Sequence, residues 1–338
     1  MKRDKPMKGY IVATGKFLLA IVIIAWVVKS GRMSARNLQG AFARPSPLLL
    51  GMSLVALIML LSAVRWHYLL KMQGIFLKFS ETLTFSLIGN FFSTVIPGAV
   101  SGDVVKAYYV SSKAKNRKAA IIFTVGADRF LGLISLIIMA LAAIALDRRK
   151  IFSVPQLKYM AEVILCSSAC VAATLFFIFL RWGRDNSRIF KFLSKMPFAR
   201  AIDGLLGALR RVKALPRFWL AITGASLLIL LLLGMSLYLF GVSLGMSRIA
   251  LSEYFFAAPF IILSMAIPIT PSGIGVGQVV SMTIMDWIQG GQSTFGADMV
   301  TLLQFSRIFV ALCGALVYIR FRRDVDTSCL LESGGIAE

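Results

Sequence analysis

The sequence is poor in acidic residues and in charge altogether. It has 15 Asp and Glu against 37 Lys and Arg in 338 residues, and charged residues make up only 15% of the chain. Hydrophobic residues make up 58%, and the mean hydropathy is +0.81. These values lie far outside the range of soluble domains, so a soluble core is excluded and a membrane protein is predicted.

Histidine and cysteine are also scarce. The only histidine, His67, lies within RWHYLLK at 65–71, an aromatic and basic cluster typical of a membrane interface. A single histidine cannot supply a Ser-His catalytic arrangement, and the four cysteines lack the neighbouring ligands of a metal site. The sequence therefore does not favour an enzyme, and we expect no metal and no cofactor.

Long apolar runs are what the sequence does contain. A helix needs about 20 mostly apolar residues to cross a bilayer. Candidate spans are 10–28, 47–64, 119–146, 161–180, 218–240 and 297–319. Two more apolar stretches, 81–110 and 254–289, are interrupted by proline and glycine. The expected fold is an all-α polytopic membrane protein with about six full spans and two broken helical hairpins.

The two interrupted stretches carry the most distinctive motifs. In the first, Pro97-Gly98 ends one half-helix and Ser101-Gly102-Asp103 begins the next. The second break, IPITPSGIGVGQ at 267–278, contains Pro268, Pro271, Gly273, Gly275 and Gly277. Irregular backbone survives in a bilayer only where it lines protein or a wet cavity. Each break therefore predicts a polar site between half-helices, or else a simple turn between two short spans.

Charge counting predicts the topology. The loop at 181–217 holds ten Lys and Arg and two Asp, so it is expected in the cytoplasm, with an amphipathic helix at 201–215. If each broken stretch returns to the side from which it entered, both termini are cytoplasmic. The basic cluster that follows run 47–64, which includes Arg65, is then cytoplasmic too.

The domain expected is a single transmembrane domain over 1–324, with a cytoplasmic tail at 325–338. Pro97 and Pro268 lie about half the chain length apart. The halves 1–150 and 151–324 each hold two runs, one broken hairpin and one further run, in opposite orientations. That layout is typical of inverted-topology repeats in secondary transporters, although a coincidence of spacing would look the same.

Charged residues inside the apolar runs are the candidate binding residues. Asp128-Arg129 and Arg307 each cost about 2.5–3.5 kcal/mol at a helix centre. Neighbours on a helix point about 100° apart, so Asp128 and Arg129 need partners on other helices or on a ligand. Because arginine binds phosphate through paired N–H groups, Arg129 or Arg307 is predicted to contact a lipid phosphate. The alternative is a buried ion pair with Asp103 or Asp128.

Three more polar residues join this candidate site. Lys106 shares a helix face with Asp103, and the positive end of their half-helix can hold an anion. Asn90 and Gln278 are predicted to line a cavity. The excess of basic residues indicates contact with anionic membrane lipids; no nucleic-acid recognition module is legible, so nucleic acid is not an expected partner.

The order and spacing of these motifs resemble a known family. Asn90, Pro97-Gly98, Ser101-Gly102-Asp103 and Lys106, then Asp128-Arg129 with Gly132, then Pro268 and PSGIGV at 271–276, are similar to the membrane region of bacterial lysylphosphatidylglycerol synthases and of flippase-like inner-membrane proteins. The resemblance covers about 10–320. The family usually has glycine where Ser101 stands, and often has arginine and glutamate where Lys106 and Gln278 stand.

The resemblance implies lipid translocation in a bacterial cytoplasmic membrane. The expected partner is a phospholipid or a lipid-linked anionic headgroup that moves between leaflets, and a homo-oligomer is left open. A short tail follows Arg323, so an aminoacyl-transferase domain and lysyl transfer are not implied. Two alternatives stay open: a membrane enzyme that modifies lipid headgroups with a metal on Asp103 and Asp128, and a scaffold for a separate transferase.

Overall fold

The computed structural model describes residues 35–95, 101–114, 117–181, 216–246, 249–267 and 270–334, in which the chain forms helices and no β-strand. The helices are α1 (Ala35–Phe42), α2 (Pro45–Met72), α3 (Phe79–Val95), α4 (Ser101–Lys113), α5 (Lys118–Leu146), α6 (Arg148–Ser153), α7 (Pro155–Arg181), α8 (Pro216–Ser243), α9 (Leu251–Ala266), α10 (Val276–Gln289) and α11 (Phe295–Gly334).

The long helices confirm the predicted fold class. Within the described residues, α2, α5, most of α8 and the Phe295–Arg320 part of α11 are long and apolar enough to cross a membrane. They match four of the predicted spans, and α7 matches a fifth at 161–180. The run 10–28 and the amphipathic helix at 201–215 lie outside the described residues. The protein is an all-α polytopic membrane protein.

Helices α3 and α4 form the first hairpin, on either side of Pro97-Gly98, which lies outside the described residues. The two helices are antiparallel. The rings of Phe85 and Tyr109 stack with centroids 5.5 Å apart, and nearer the break Gly89 faces Gly102. A Cβ atom on Gly102 would lie 2.0 Å from the carbonyl oxygen of Gly89, so the close approach requires glycine.

The second hairpin consists of α9, a 3₁₀ turn at Pro271–Gly273, and α10. Its backbone reverses through Gly273 and Gly275, whose φ angles of +68° and +89° favour glycine. A Cβ atom on Gly273 would lie 2.4 Å from the Cα atom of Met265, which shows how tightly the turn folds onto α9. Pro268 lies outside the described residues.

Contacts at the helix ends show where the first hairpin begins and ends. Lys113, at the end of α4, forms an ion pair with Glu81 in the first turn of α3. Nearby, Arg117 Nη1 donates to the carbonyl oxygen of Gln73, 2.9 Å away, which joins the start of α5 to the end of α2. All four helix ends therefore lie at one face of the molecule, called here the Glu81 face.

The second hairpin begins at the opposite face, called here the Asp147 face. Asp147 follows the last residue of α5, and its Oδ2 atom accepts a hydrogen bond from Ser252 Oγ at 3.4 Å, in the first turn of α9. Beside it, Lys150 in α6 forms an ion pair with Glu253. The two hairpins therefore enter the helical bundle from opposite faces.

The two hairpins meet inside the bundle. Ser272 Oγ, in the turn of the second hairpin, donates to the carbonyl oxygen of Ser93 near the end of α3, 3.3 Å away. Helices α3 and α9 have 17 and 16 residues. At 1.5 Å per residue each extends roughly 25 Å, which is less than the ~30 Å of a bilayer's hydrocarbon core.

The long helices pack around the hairpins in a reciprocal pattern. Helix α3 of the first hairpin packs against α11, and α9 of the second hairpin packs against α5. Helices α2 and α8, which precede the two hairpins, pack against each other. Helices α3 and α9 are thus each held by the long helix that follows the other hairpin, while α10 packs against α11.

Candidate functional site

A carboxylate and two cations lie together at the inner end of the first hairpin. Asp103, in the first turn of α4, is only 5% exposed. One of its oxygens lies 2.9 Å from Lys106 Nζ, and the other accepts a hydrogen bond from Arg129 Nε in α5 at 2.6 Å. The structure thus pairs Arg129 with Asp103, which is the ion pair that the sequence offered as the alternative to a phosphate contact. The Arg129 side chain is nevertheless 54% exposed.

Lys106 is also held by an aromatic ring. Its Nζ atom lies 4.9 Å from the centre of the Trp66 ring, which is close enough for a cation–π interaction. Trp66 is almost fully buried in α2, and its indole N–H donates to Thr124 Oγ1 at 3.3 Å. The position of Lys106 is therefore fixed by α2 and α5 as well as by its own helix.

Arg307 adds a third cation. It lies on α11, partly exposed, and near enough to Arg129 for the two charges to repel each other. Among the residues that the structure describes, no carboxylate lies within ion-pair distance of Arg307. Arg307 is thus linked to the Asp103 group through Arg129. The four residues Asp103, Lys106, Arg129 and Arg307 carry three positive charges and one negative charge, and they are called here the cationic cluster.

The cationic cluster lies deep in the bundle. Counted at 1.5 Å per residue, Arg129 is about 17 Å along α5 from Lys118, at the Glu81 face. Arg307 is about 18 Å along α11 from Phe295, near the Asp147 face. On the scale of a hydrocarbon core of about 30 Å, both guanidinium groups belong to helix positions near the middle of the membrane.

Asp128 belongs to a separate ion pair. Arg65 Nε lies 2.8 Å from Asp128 Oδ1, and Arg65 Nη1 donates to Ser226 Oγ at 3.1 Å. The prediction that the second span ends before Arg65 is wrong, because α2 continues to Met72 and buries Arg65; the side of the membrane on which α2 ends stays a prediction. His67 is buried on the same helix and hydrogen-bonded to Thr82 in the first turn of α3, so it lies near the Glu81 face, and its interface position stays a prediction.

Gln278 and Gln304 form a group of uncharged polar side chains beside the second hairpin, called here the neutral cluster. Gln278 Oε1 accepts the N–H of Gly275 at 2.7 Å and so caps α10, while its Nε2 donates to Gln304 Oε1 at 2.8 Å. Gln304 is 5% exposed, and its own Nε2 has no hydrogen-bond partner. Sequence analysis missed Gln304, although Thr301, Gln304 and Arg307 recur every three residues in an otherwise apolar span.

Asn90 lies on α3, partly buried, one residue after the close contact between Gly89 and Gly102. Its carbonyl oxygen accepts a hydrogen bond from Thr94 Oγ1 at 3.0 Å within the same helix. The structure thus places Asn90 on the first hairpin near the cationic cluster, whereas Gln278 belongs to the neutral cluster of the second hairpin.

The carboxylates do not form a metal site in the described part of the chain. There, no three His, Cys, Asp or Glu side chains come together. Asp103 and Asp128 each pair with a different arginine, so the arrangement does not support a metal shared between them. What the geometry offers is positive charge, which suits an anionic ligand.

One protein family matches most of the chain. No curated protein matches the chain. The model of a protein family described as the lysylphosphatidylglycerol synthase TM region matches residues 14–315, which include both hairpins, the cationic cluster and the neutral cluster. The chain therefore belongs to the lysylphosphatidylglycerol synthase transmembrane-region family, and it is a multi-pass membrane protein related to lipid headgroup handling.

Proposed function

We propose that the protein moves an anionic lipid headgroup between the two leaflets of a bacterial cytoplasmic membrane. The observation that carries this proposal is the cationic cluster, in which Lys106, Arg129 and Arg307 outnumber the one carboxylate, Asp103. A charged side chain at a helix centre costs about 2.5–3.5 kcal/mol on insertion scales. A lipid phosphate at this position would offset that cost.

The helix ends of the first hairpin support an anion site at the same place. Helix α4 begins at Ser101, two residues before Asp103, so the positive end of its dipole lies beside the cationic cluster. Such helix ends stabilise bound phosphate groups. An anion site at the start of α4 would explain why the membrane helix is interrupted between α3 and α4.

The arrangement of the hairpins supports transport rather than binding alone. The hairpins enter from opposite faces, meet at Ser93 and Ser272, and are each shorter than a membrane span. We propose that both are re-entrant, that halves 1–150 and 151–324 are inverted repeats, and that the headgroup passes where they meet. The acyl chains would stay in the surrounding lipid.

Lipid transfer in reconstituted vesicles tests the proposal. We expect Arg129→Ala and Arg307→Ala each to slow the transfer of a labelled anionic phospholipid about tenfold or more, since each removes a charge-assisted contact to phosphate. Arg149→Ala, on the exposed face of α6, is the matched control. Transfer that is unchanged in both site variants would refute the assignment.

Mass spectrometry of retained lipids provides a second test. Purified protein should carry phosphate-bearing lipids, and Arg307→Ala should carry fewer of them, because Arg307 has no carboxylate partner among the described residues. An identical lipid profile in the two proteins would argue against a headgroup site at Arg307.

A further inference from the structure

The acidic groups at the middle of the bundle are already engaged. Asp103 is held by two cations, and Asp128 is held by Arg65. The other carboxylates of the described chain lie toward the ends of helices or between them: Glu81, Asp147, Glu162, Glu253, Asp286, Asp298, Asp324, Asp326 and Glu332. An ammonium group on a lipid that reached the cationic cluster would find no carboxylate there without breaking a buried ion pair.

The net charge of the site also opposes an ammonium group. The cationic cluster holds three basic side chains and one carboxylate, so it carries an excess of positive charge. Like charges brought together in a poorly solvated site repel strongly, and this repulsion excludes wrong partners. A phosphate gains from this field, whereas a cationic headgroup loses.

The neutral cluster offers what a hydroxyl-bearing headgroup needs. Gln304 is three residues before Arg307, so the two side chains emerge from the same face of α11. The Nε2 atom of Gln304 is buried and has no acceptor, although buried donors are nearly always satisfied. An oxygen of the ligand, close to the phosphate that Arg307 attracts, would complete its hydrogen bonding.

We propose that the site selects lipids whose phosphate carries a neutral, hydroxyl-bearing group, such as glycerol or a sugar, and rejects headgroups that carry ammonium groups. This inference rests on the proposed function and narrows its substrate class. The aminoacylated lipid after which the family is named is therefore a poor substrate for this chain. Arg307 binds the phosphate, Gln304 donates to a neutral oxygen, and the cationic cluster repels amines.

The test is a comparison of labelled lipids in vesicles that contain the full chain. Phosphatidylglycerol should move at least about tenfold faster than lysylphosphatidylglycerol, and faster than phosphatidylethanolamine, because only the last two bring ammonium groups to the cluster. A polyprenyl-linked sugar phosphate tests whether the hydroxyl-bearing group can be a sugar as well as glycerol. Equal rates for phosphatidylglycerol and lysylphosphatidylglycerol overturn the inference and leave the proposed function standing. No transfer of any lipid above empty vesicles refutes both.

Variants of Gln304 test the neutral contact. Gln304→Leu should slow phosphatidylglycerol about fivefold, the effect of one lost hydrogen bond, and should not slow phosphatidylmethanol, which lacks headgroup hydroxyls. The same change at the exposed Gln289 should leave both rates as they are.

If Gln304→Leu fails to fold, Gln304→Glu keeps the shape of the side chain and adds a carboxylate. This variant should raise the transfer rate of lysylphosphatidylglycerol relative to that of phosphatidylglycerol. An unchanged ratio of the two rates in the Gln304→Glu variant would contradict the role of Gln304.

Discussion

At the residue scale, the charges inside the bundle form two groups with different consequences. Arg65 and Asp128 neutralise each other, and both are buried. Asp103 instead has more cationic neighbours than it can neutralise, and the Arg129 side chain is half exposed. The first group suits a structural role and the second suits a ligand, and mutations separate the two.

The Arg65–Asp128 pair is expected to stabilise the fold without acting in transport. Arg65→Ala leaves a buried carboxylate without its partner, so we expect the free energy of unfolding to fall by about 3–5 kcal/mol. Replacing both partners, as Arg65→Met with Asp128→Leu, removes both buried charges and should recover most of that stability and retain lipid transfer. Thermal unfolding in detergent and vesicle transfer are the measurements. A double variant that folds but moves no lipid would show that the pair acts in transport.

Asp103 is expected to occupy the phosphate's place when no lipid is bound. Asp103→Asn leaves the largely buried Lys106 side chain without a carboxylate, so lipid-free protein should lose about 3 kcal/mol of stability. Added phosphatidylglycerol should then raise the melting temperature more in this variant than in the native protein. Glu162→Gln, at an exposed pair on α7, is the control. Equal shifts in all three proteins would mean that phosphate and Asp103 do not compete.

At the element scale, the first hairpin depends on two glycines that let α3 and α4 touch. A Cβ atom on Gly102 would lie 2.0 Å from the Gly89 carbonyl oxygen and 2.1 Å from Ser93 Oγ. Helix α11 approaches the other side of α3 equally closely, because a Cβ atom on Gly314 would lie 2.2 Å from the carbonyl oxygen of Leu87. Helix α3 is therefore confined between α4 and α11.

Gly102→Ala should separate α3 from α4 and lower the free energy of unfolding by about 1–3 kcal/mol, the usual cost of overpacking. Gly224→Ala, where an added Cβ atom meets nothing within 4 Å, is the matched control and should be neutral or slightly stabilising. Denaturation in detergent compares the two. If Gly102→Ala is as stable as Gly224→Ala, the close packing of the hairpin is not required.

The elements themselves were largely predictable, and their contacts were not. Apolar runs about 20 residues long and the two proline–glycine breaks located the spans and hairpins, because bilayer thickness and backbone hydrogen bonding leave few other solutions. The partner of Asp128 was not predictable, since it depends on how α2 is rotated against α5. Hydropathy falls after Val64, so the sequence placed Arg65 beyond the end of the span. In the structure α2 continues to Met72, and Arg65 is buried in an ion pair with Asp128.

At the scale of the whole molecule, the packing of the two halves is reciprocal. Helix α3 of the first hairpin packs against α11, α9 of the second packs against α5, and α2 packs against α8. No residue-level repeat in the sequence predicted these contacts, because a pseudo-symmetric fold needs equivalent packing and not identical side chains. We propose the inverted repeat on this pattern of contacts and on the opposite entry of the hairpins.

Side-specific labelling tests the opposite entry and the membrane topology. In a background in which the four cysteines are replaced by alanine, Ser112→Cys reports the Glu81 face and Ser153→Cys reports the Asp147 face; both positions are exposed. An impermeant maleimide should label Ser112→Cys only from the cytoplasm and Ser153→Cys only from outside, since basic loops stay inside. Detergent-solubilised protein, in which both should react, is the control. Labelling of both from one side would contradict the topology.

The contact between Ser272 and Ser93 has a consequence for what else can cross. With both hairpins re-entrant, as we propose, each would fill one half of the bilayer, and the contact between them would leave no continuous aqueous pore between the two compartments. Small ions would then not cross, whereas a lipid headgroup would pass the tip of one hairpin and then the tip of the other. We therefore expect vesicles that contain the protein to keep a proton gradient during lipid transfer. A cell could then move the lipid without dissipating the proton gradient across its membrane.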